Sequence, residues 1–290
     1  MAAIKVVFDT NAFQRDTFDM LDVSPIRQLC RSGRVVPLYG HVFLEEMFRA
    51  YGNEAKRPDL VNRWLPFLAD TAHRLCNDFL TIWHHELVRG LGRKTCIFMP
   101  TRDQLKLLGR LRAIPADGSW RAWQSAQAEI AAENTKRTAQ RDVSKSIRVE
   151  VADWRKAVNY HPKRHGVTHF REFSSGELDR SGREFITALV SAYNSREVAN
   201  RWSRTKQQYP YFTNFVVNML YMTYHAAVHN NDRIDENAQA DLDLMTHLLH
   251  ADILVSNETR FMRRAFTDLW EPRGKVLLTS EQFVDFLGKL

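Results

Sequence analysis

Ile4-Lys5-Val6-Val7-Phe8-Asp9-Thr10-Asn11 opens the chain with a β-branched apolar run that stops abruptly on three polar residues. A run of this length, closed by turn formers, reads as a short buried strand ending in a polar turn. Gly33 precedes a second short run, Val35-Val36-Pro37-Leu38, and residues 26–30 between the two suit a connecting helix. Residues 41–50 then have helical spacing. Strand, helix, strand, helix is the order that yields a parallel sheet covered by helices.

The far end has the same grammar. Residues 241–250 are expected to be helical, with Leu242, Met245, Leu248 and Leu249 on one apolar stripe. Ile253-Leu254-Val255 reads as a buried strand closed by Ser256-Asn257-Glu258, residues 260–266 as a helix, and Lys275-Val276-Leu277-Leu278 as a last strand. A final helix carries Phe283, Phe286 and Leu287, with Thr279 or Ser280 as its N-cap. The middle differs. Residues 60–91, 101–111, 119–159, 181–207 and 212–228 all read as helices, with breaks at Pro115, Gly118, Pro162, Gly166 and Gly176. The expected architecture is an α/β core built from residues 1–51 plus 232–290, interrupted by an all-helical insertion over 52–231. The split has a consequence, because acids at the C-terminal ends of parallel strands meet in one crevice however far apart they are in sequence.

Composition narrows the function. The 290 residues are 44% hydrophobic and 26% charged, which excludes wholesale disorder and fibrous repeats. With 41 Lys and Arg against 34 Asp and Glu the chain is basic, as suits a polyanionic partner. Cys30, Cys76 and Cys96 are widely spaced without a CxxC pair, so they read as reduced thiols rather than a zinc cage or a disulfide framework. The acid at Asp9 comes too early for a signal peptide, and no apolar run approaches the roughly 18 residues of a membrane span. A soluble, cytoplasmic protein is expected. There is no Walker loop, GxGxxG or GxSxG, which leaves nucleotide hydrolysis and serine chemistry without a basis.

The acids carry the remaining signal. Asp9 ends the first strand, Glu45 and Glu46 lie on the helix after the second, Asp241 opens a helix with Asp243 two residues on, and Glu258 follows the third strand. Adjacent helical residues point about 100° apart, so only one of Glu45 and Glu46 faces a shared pocket. Carboxylates held close together repel and need protons or divalent cations. Oxygen-only ligands favour Mg2+ or Mn2+ over Zn2+, and such a pocket suits in-line displacement at phosphorus.

Phe8-Asp9-Thr10-Asn11 after an apolar strand resembles the opening motif of the PIN-domain nucleases. Val36-Pro37 with Val42-Phe43-Leu44-Glu45-Glu46-Met47 is similar to their second motif. Asp241-Leu242 and the stretch from Ala251-Asp252 to Asn257-Glu258 resemble the third and fourth, and Val276 to Phe283 resembles the closing strand and helix. The resemblance covers about the first 50 and last 55 residues. It implies a PIN-like three-layer α/β/α core with a mostly parallel sheet. It also implies a metal-dependent endoribonuclease that cuts single-stranded or structured RNA by metal-activated water, leaving a 5′-phosphate and a 3′-hydroxyl. Asp9, Glu46, Asp241 and Glu258 would be the catalytic, Mg2+- or Mn2+-binding acids, with Asp243 as an alternative or additional ligand. Asn11 and Ser256 would be the orienting residues. Glu258 stands where the family usually has Asp. Similar bacterial proteins are often toxins or defence effectors held off by an inhibitory partner, and a homodimer is a further expectation.

The insertion carries the clearest basic pattern. Arg137, Arg141, Lys145 and Arg148 fall on one helical stripe, with Val143, Ile147, Val151 and Trp154 on another. Residues 131–170 hold nine Lys and Arg against four Asp and Glu. A cationic stripe of this kind binds phosphates without sequence choice. Arg260, Arg263 and Arg264 follow Glu258 and are expected to contact phosphates near the cut. Trp202, Tyr209, Tyr211, Phe212, Phe215 and Tyr221 read as core rather than as a base-stacking surface. Adjacent His84 and His85 cannot face one ion on a helix, and His161, His165 and His169, though spaced by four, have Pro162 and Gly166 against the helix that would align them, so no histidine metal site is expected. The rival reading is an RNA- or protein-binding module of the same fold that does not cut.

Overall fold

Four short parallel strands form one sheet in the order β2-β1-β3-β4, with two strands from each end of the chain. They are β1 (Ile4–Phe8), β2 (Val35–Pro37), β3 (Ile253–Val255) and β4 (Val276–Leu278). The computed structural model describes residues 3–52, 58–72, 74–77, 79–89, 97–116, 169–189, 194–228 and 238–290, together with Thr135 and Asp153. The fold is α/β and mostly helical. In the central pair Val6, Val7, Phe8, Ile253, Leu254 and Val255 are all buried, the continuous apolar pattern of parallel strands covered on both faces. Val6 aligns with Pro37 on one side and with Ile253 on the other. At the N-terminal end of β3 the Lys5 amide donates to the Asp252 carboxylate at 3.2 Å, so that acid serves the strand pairing, away from the strands' C-terminal ends.

Among the described residues, the helices are α1 (Arg15–Val23), α2 (Ile26–Arg31), α3 (His41–Gly52), α4 (Pro58–Thr71), α5 (Phe79–Arg89), α6 (Thr101–Ala116), α7 (Phe170–Leu189), α8 (Ser195–Arg204), α9 (Pro210–Val228), α10 (Ala238–Met245), α11 (Phe261–Leu269) and α12 (Ser280–Leu287). Helix α1 is not expected from the apolar pattern; its buried Phe18 and Leu21 form a short stripe, and it packs against α12, joining the chain ends a second time. The single helix expected over 60–91 is two. Between them Leu75 bridges to Tyr39 in parallel and Cys76 to Phe98 in antiparallel fashion, with the Cys76 amide donating to the Tyr39 carbonyl at 3.0 Å. A helical stripe in sequence does not reveal such an interruption, because both halves present apolar faces to the same core. The helix expected over 181–207 is likewise split between α7 and α8, and Gly176, read as a break, lies inside α7. An exposed glycine weakens a helix by only about 1 kcal/mol, less than neighbouring packing supplies. The helix over 119–159, with Arg137, Arg141, Lys145 and Arg148, and the thiol of Cys96 fall outside the described residues. Cys30 and Cys76 are buried free thiols whose ionisation burial pushes up to about 12.

The apolar interior is continuous from the sheet into the helices between residues 52 and 231, taking in Leu65, Phe67, Ile82, Ile186 and Phe212. Trp202, Tyr209, Tyr211 and Tyr221 are buried within it. Gly182 lets α7 approach α8, since a Cβ there would lie 2.0 Å from the Trp202 ring. Helix α9 meets α10 through a buried polar contact: Asn218 donates to the Leu242 carbonyl at 3.1 Å, and Asn214 to the Thr246 hydroxyl at 3.1 Å. Glu86 on α5 accepts from the amides of Tyr211 and Phe212 at 3.2 and 2.9 Å, neutralising the positive N-terminus of α9. Among the described residues, no helix is long and apolar enough to cross a membrane.

Gly40 sets how α3 leaves the sheet. It lies between β2 and α3, and a Cβ there would meet the His247 ring nitrogen at 2.3 Å. His247 has little room to yield: it is buried, and desolvation and the neighbouring His250 hold its pKa down at about 4. Gly40→Ala should therefore destabilise the protein by about 1–3 kcal/mol through overpacking, read as a lower denaturation midpoint with an unchanged m-value. An unaffected midpoint would mean that α3 is not pinned at this point.

A candidate acidic site at the strand ends

Asp9 is the residue at which β1 stops, and its backbone N–H donates to the Val255 carbonyl at 2.9 Å. The chain then turns through a short 3-10 helix, Thr10–Phe13, for which Asp9 is the N-cap. These two constraints aim its carboxylate at the neighbouring strand end. Ser256, the first residue beyond β3, donates to Asp9 Oδ2 at 2.7 Å. The Ser256 oxygen accepts from the Asn11 side-chain amide at 3.3 Å and from the Glu258 backbone at 3.1 Å. Asn11 Oδ1 accepts from the Asn257 backbone at 2.9 Å, and the Asn257 side chain binds the backbone and hydroxyl of Ser280 at 3.0 and 2.9 Å. Asn11 and Ser256 thus hold Asp9 in place while tying the loop after β1 to the loop after β3 and to the start of α12. Thr279 is the cap of that last helix, in a reciprocal capping box with Gln282.

Glu46 reaches the same place from α3. Thr10 donates to Glu46 Oε2 at 2.8 Å, and its hydroxyl lies 3.5 Å from Asp9 Oδ1. One hydroxyl therefore stands between two carboxylates. Glu45 turns to His41 on its own helix instead, so the two adjacent acids divide their roles as their angular separation requires. Thr10 is the member of this site that the sequence reading missed; its place between a strand-ending Asp and an orienting Asn was the available signal.

Asp9 is only 7% exposed. Burial, reinforced by the Glu46 charge, pushes its carboxyl from 3.8 up to about 6, against the opposing pull of the Ser256 hydroxyl and the Asn11 and Thr10 amides. The remaining expected acids are placed differently. Helix α10 packs against α3 and carries half-buried Asp241 in its first turn and buried Asp243, which accepts from Gln239 at 2.8 Å. Glu258 curls over the start of α11, accepting from the amides of Arg260 and Met262 at 2.8 and 2.9 Å. Its extra methylene relative to Asp lets the carboxylate fold back onto its own helix, where it caps the first turn. Arg260, Arg263 and Arg264 are exposed.

Among the described residues, no three His, Cys, Asp or Glu side chains are gathered to hold a metal ion. The Asp9 and Glu46 pair is nonetheless a fitting donor set for a hard divalent cation: both are oxygen ligands, and Mg2+ is commonly held by one or two carboxylates, with water and substrate phosphate completing its shell. Beside Glu46 opens a cleft of about 190 Å3 lined by Thr10, Asn11, Phe13, Gln14, Glu46, Met47 and Trp64. The chain matches no protein-family model, no curated protein and no solved structure.

The raised carboxyl has a signed consequence. Between about pH 4 and 6 the unfolded chain has released the Asp9 proton while the folded chain keeps it, so stability falls as pH rises through this window and stays lower above it. Asp9→Asn should stabilise the protein at pH 7.5 by about 2 kcal/mol, with the gain vanishing towards pH 4. Millimolar Mn2+ should raise the melting temperature of the wild type and leave that of Asp9→Asn unchanged. Equal melting temperatures at every pH would refute the buried, charge-coupled state of Asp9.

Proposed function

We propose that this chain is a metal-dependent endoribonuclease with a PIN-like core, acting at the C-terminal ends of β1 and β3. The observation that carries the reading is the Asp9–Glu46 pair with the Thr10 hydroxyl between them, Asp9 buried at the strand ends and oriented by Ser256 and Asn11, Glu46 half-buried beside it. Asp9 and Glu46 would hold Mg2+ or Mn2+. When bound, the ion supplies screening of phosphate charge and makes a water molecule more acidic. Ser256 and Asn11 keep the Asp9 carboxylate in one orientation, and Thr10 does the same for Glu46. Asp241 and Asp243, on the helix packed against α3, are further acids for the same region. Exposed Arg260, Arg263 and Arg264 meet phosphates of the strand, and the cationic stripe from Arg137 to Arg148 adds affinity that falls with salt.

A second reading, an RNA- or protein-binding module without cleavage, is favoured by one observation: the Glu258 carboxylate is engaged by the amides at the start of α11 rather than turned to the Asp9–Glu46 pair. The two readings separate in one experiment. The full-length wild type, incubated with total RNA and Mn2+, should produce discrete fragments with 3′-hydroxyl ends, and chelation should stop the reaction. Asp9→Asn and Glu46→Gln should each slow cleavage by roughly a hundredfold or more, as expected when charge stabilisation at the reacting centre is lost. Indistinguishable patterns from wild type and Asp9→Asn would end the nuclease reading, and retention of RNA without fragments would leave the binding module.

A further inference from the structure

Gly40 is the joint at which the chain passes from β2 to α3, and a histidine fills the space beside it. A Cβ at Gly40 would stand 2.3 Å from His247 Nε2 and 2.5 Å from Cδ2, so the edge of the imidazole rests on this backbone. On the β2 side the joint is fixed. The Tyr39 hydroxyl pairs with that of Thr71 at 2.8 Å, and the Tyr39 carbonyl accepts from Cys76 at 3.0 Å. On the other side Gly40 starts the helix, its carbonyl accepting from the Leu44 amide at 3.1 Å. Glu46 follows within the next turn, held by the Thr10 hydroxyl at 2.8 Å. Whatever displaces His247 therefore acts first on the start of the helix that carries Glu46.

This place suits a neutral ring alone. His247 is buried, and its Nδ1 has no hydrogen-bond partner among the described residues. An imidazolium carries two N–H donors, and a buried charge is costly without acceptors or a counter-charge. Among the described residues, the groups around the ring supply neither. From α9 comes Tyr211, 6.3 Å away between ring centroids, whose hydroxyl burial keeps from ionising. From the same turn (Thr246–Leu249 and its cap) comes His250, stacked on Tyr211 at 5.5 Å. Burial, then Lys5 of β1 and Lys275 before β4, disfavour a charge on His250 too. Asp243, one turn back on α10, is bound by Gln239 at 2.8 Å, and Glu45 of α3 turns to His41. Burial first, and His250 second, hold the pKa of His247 down at about 4.

We propose that His247 is a proton-sensitive strut for the candidate site: neutral, it holds the start of α3 so that Glu46 meets Thr10, and protonated, it leaves its place and α3 swings away at Gly40. The sign is set by the direction of the shift. A displaced or unfolded histidine takes up its proton near pH 6.5 and the seated one does not. The strut's contribution is therefore complete above about pH 6.5 and is lost progressively as the pH falls towards 4. Asp9 acts in the opposite sense over nearly the same window, so the two offset each other in global stability and the strut shows itself locally. This inference goes beyond the nuclease reading and does not depend on it, because it concerns how the Asp9–Glu46 pair is assembled and not what the pair does.

The test follows hydrogen exchange at the amides of Phe43 to Met47 in full-length Asp9→Asn, which removes the opposing carboxyl. Between about pH 6.5 and 4.5 the protection factors of these amides should fall by up to about tenfold per pH unit, the limit for one coupled proton. Those of the β1 and β3 amides should hold. His247→Gln, which cannot take up a proton, should abolish the slope. His250→Gln leaves the contact with Gly40 alone and removes a neighbouring positive charge, so it should move the slope to higher pH. This second variant decides the matter if His247→Gln does not fold. His41→Gln should leave the slope in place, since the His41–Glu45 pair at the surface of α3 is not its source. Flat protection in Asp9→Asn would overturn the strut. So would a slope that survives His247→Gln, one that vanishes in His41→Gln, or one that His250→Gln does not move.

Discussion

The parallel pairing of β3 with β1 is the constraint on which the rest of the molecule depends. A parallel pair cannot be closed by a tight turn and needs a long crossover; here the connection runs from residue 9 to residue 252 and contains most of the helices. The register that aligns Phe8 with Val255 puts Asp9 and Ser256 side by side, one residue past each strand. A shift of one residue would turn the alternate face of each strand inwards and separate them. The 2.7 Å contact between Ser256 and Asp9 is therefore a local consequence of the sheet pairing.

The same loops lock the two ends of the chain together. Asn11 reads the Asn257 backbone, Asn257 reads Ser280, and α1 lies on α12, so head and tail are joined by strand pairing, by side-chain amides and by helix packing. This redundancy keeps an Asp ionisable but hard to ionise at a strand end. Burial and a second carboxylate raise its proton affinity, and the structure answers with hydroxyls and amides rather than with a positive side chain. The proposed Mg2+ or Mn2+ would relieve the repulsion between the two carboxylates and favour the ionised form of Asp9.

The strands were legible because their apolar runs are short, β-branched and bounded by polar turns, and all four stand within a residue or so of where the pattern puts them. The place of Asp9 at the end of β1 was legible for the same reason, whereas Asn11 and Ser256 were singled out only through the family resemblance. The division of labour between Glu45 and Glu46 was open, and it is decided by His41 one turn back and Thr10 across the cleft. The rotamer of Glu258 was not legible, because sequence reports a residue's position and not its side-chain direction; here its carboxylate accepts from two amides at the start of α11. Thr10 and Trp64 were missed because neither is unusual for its local element.

Local patterning by itself determined that two strand-bearing ends flank a helix-rich middle, and that several acids stand where strands finish. Only the tertiary structure decided which acids share a hydroxyl, that 60–91 breaks to lengthen the sheet edge, and that Trp64 of α4 packs behind the cleft beside Glu46. The physical reason is the range of the forces involved. Strand and helix periodicities are written in neighbours a few residues apart, whereas carboxylate pairing, capping competition and cleft lining depend on atoms brought together from positions tens to hundreds of residues apart.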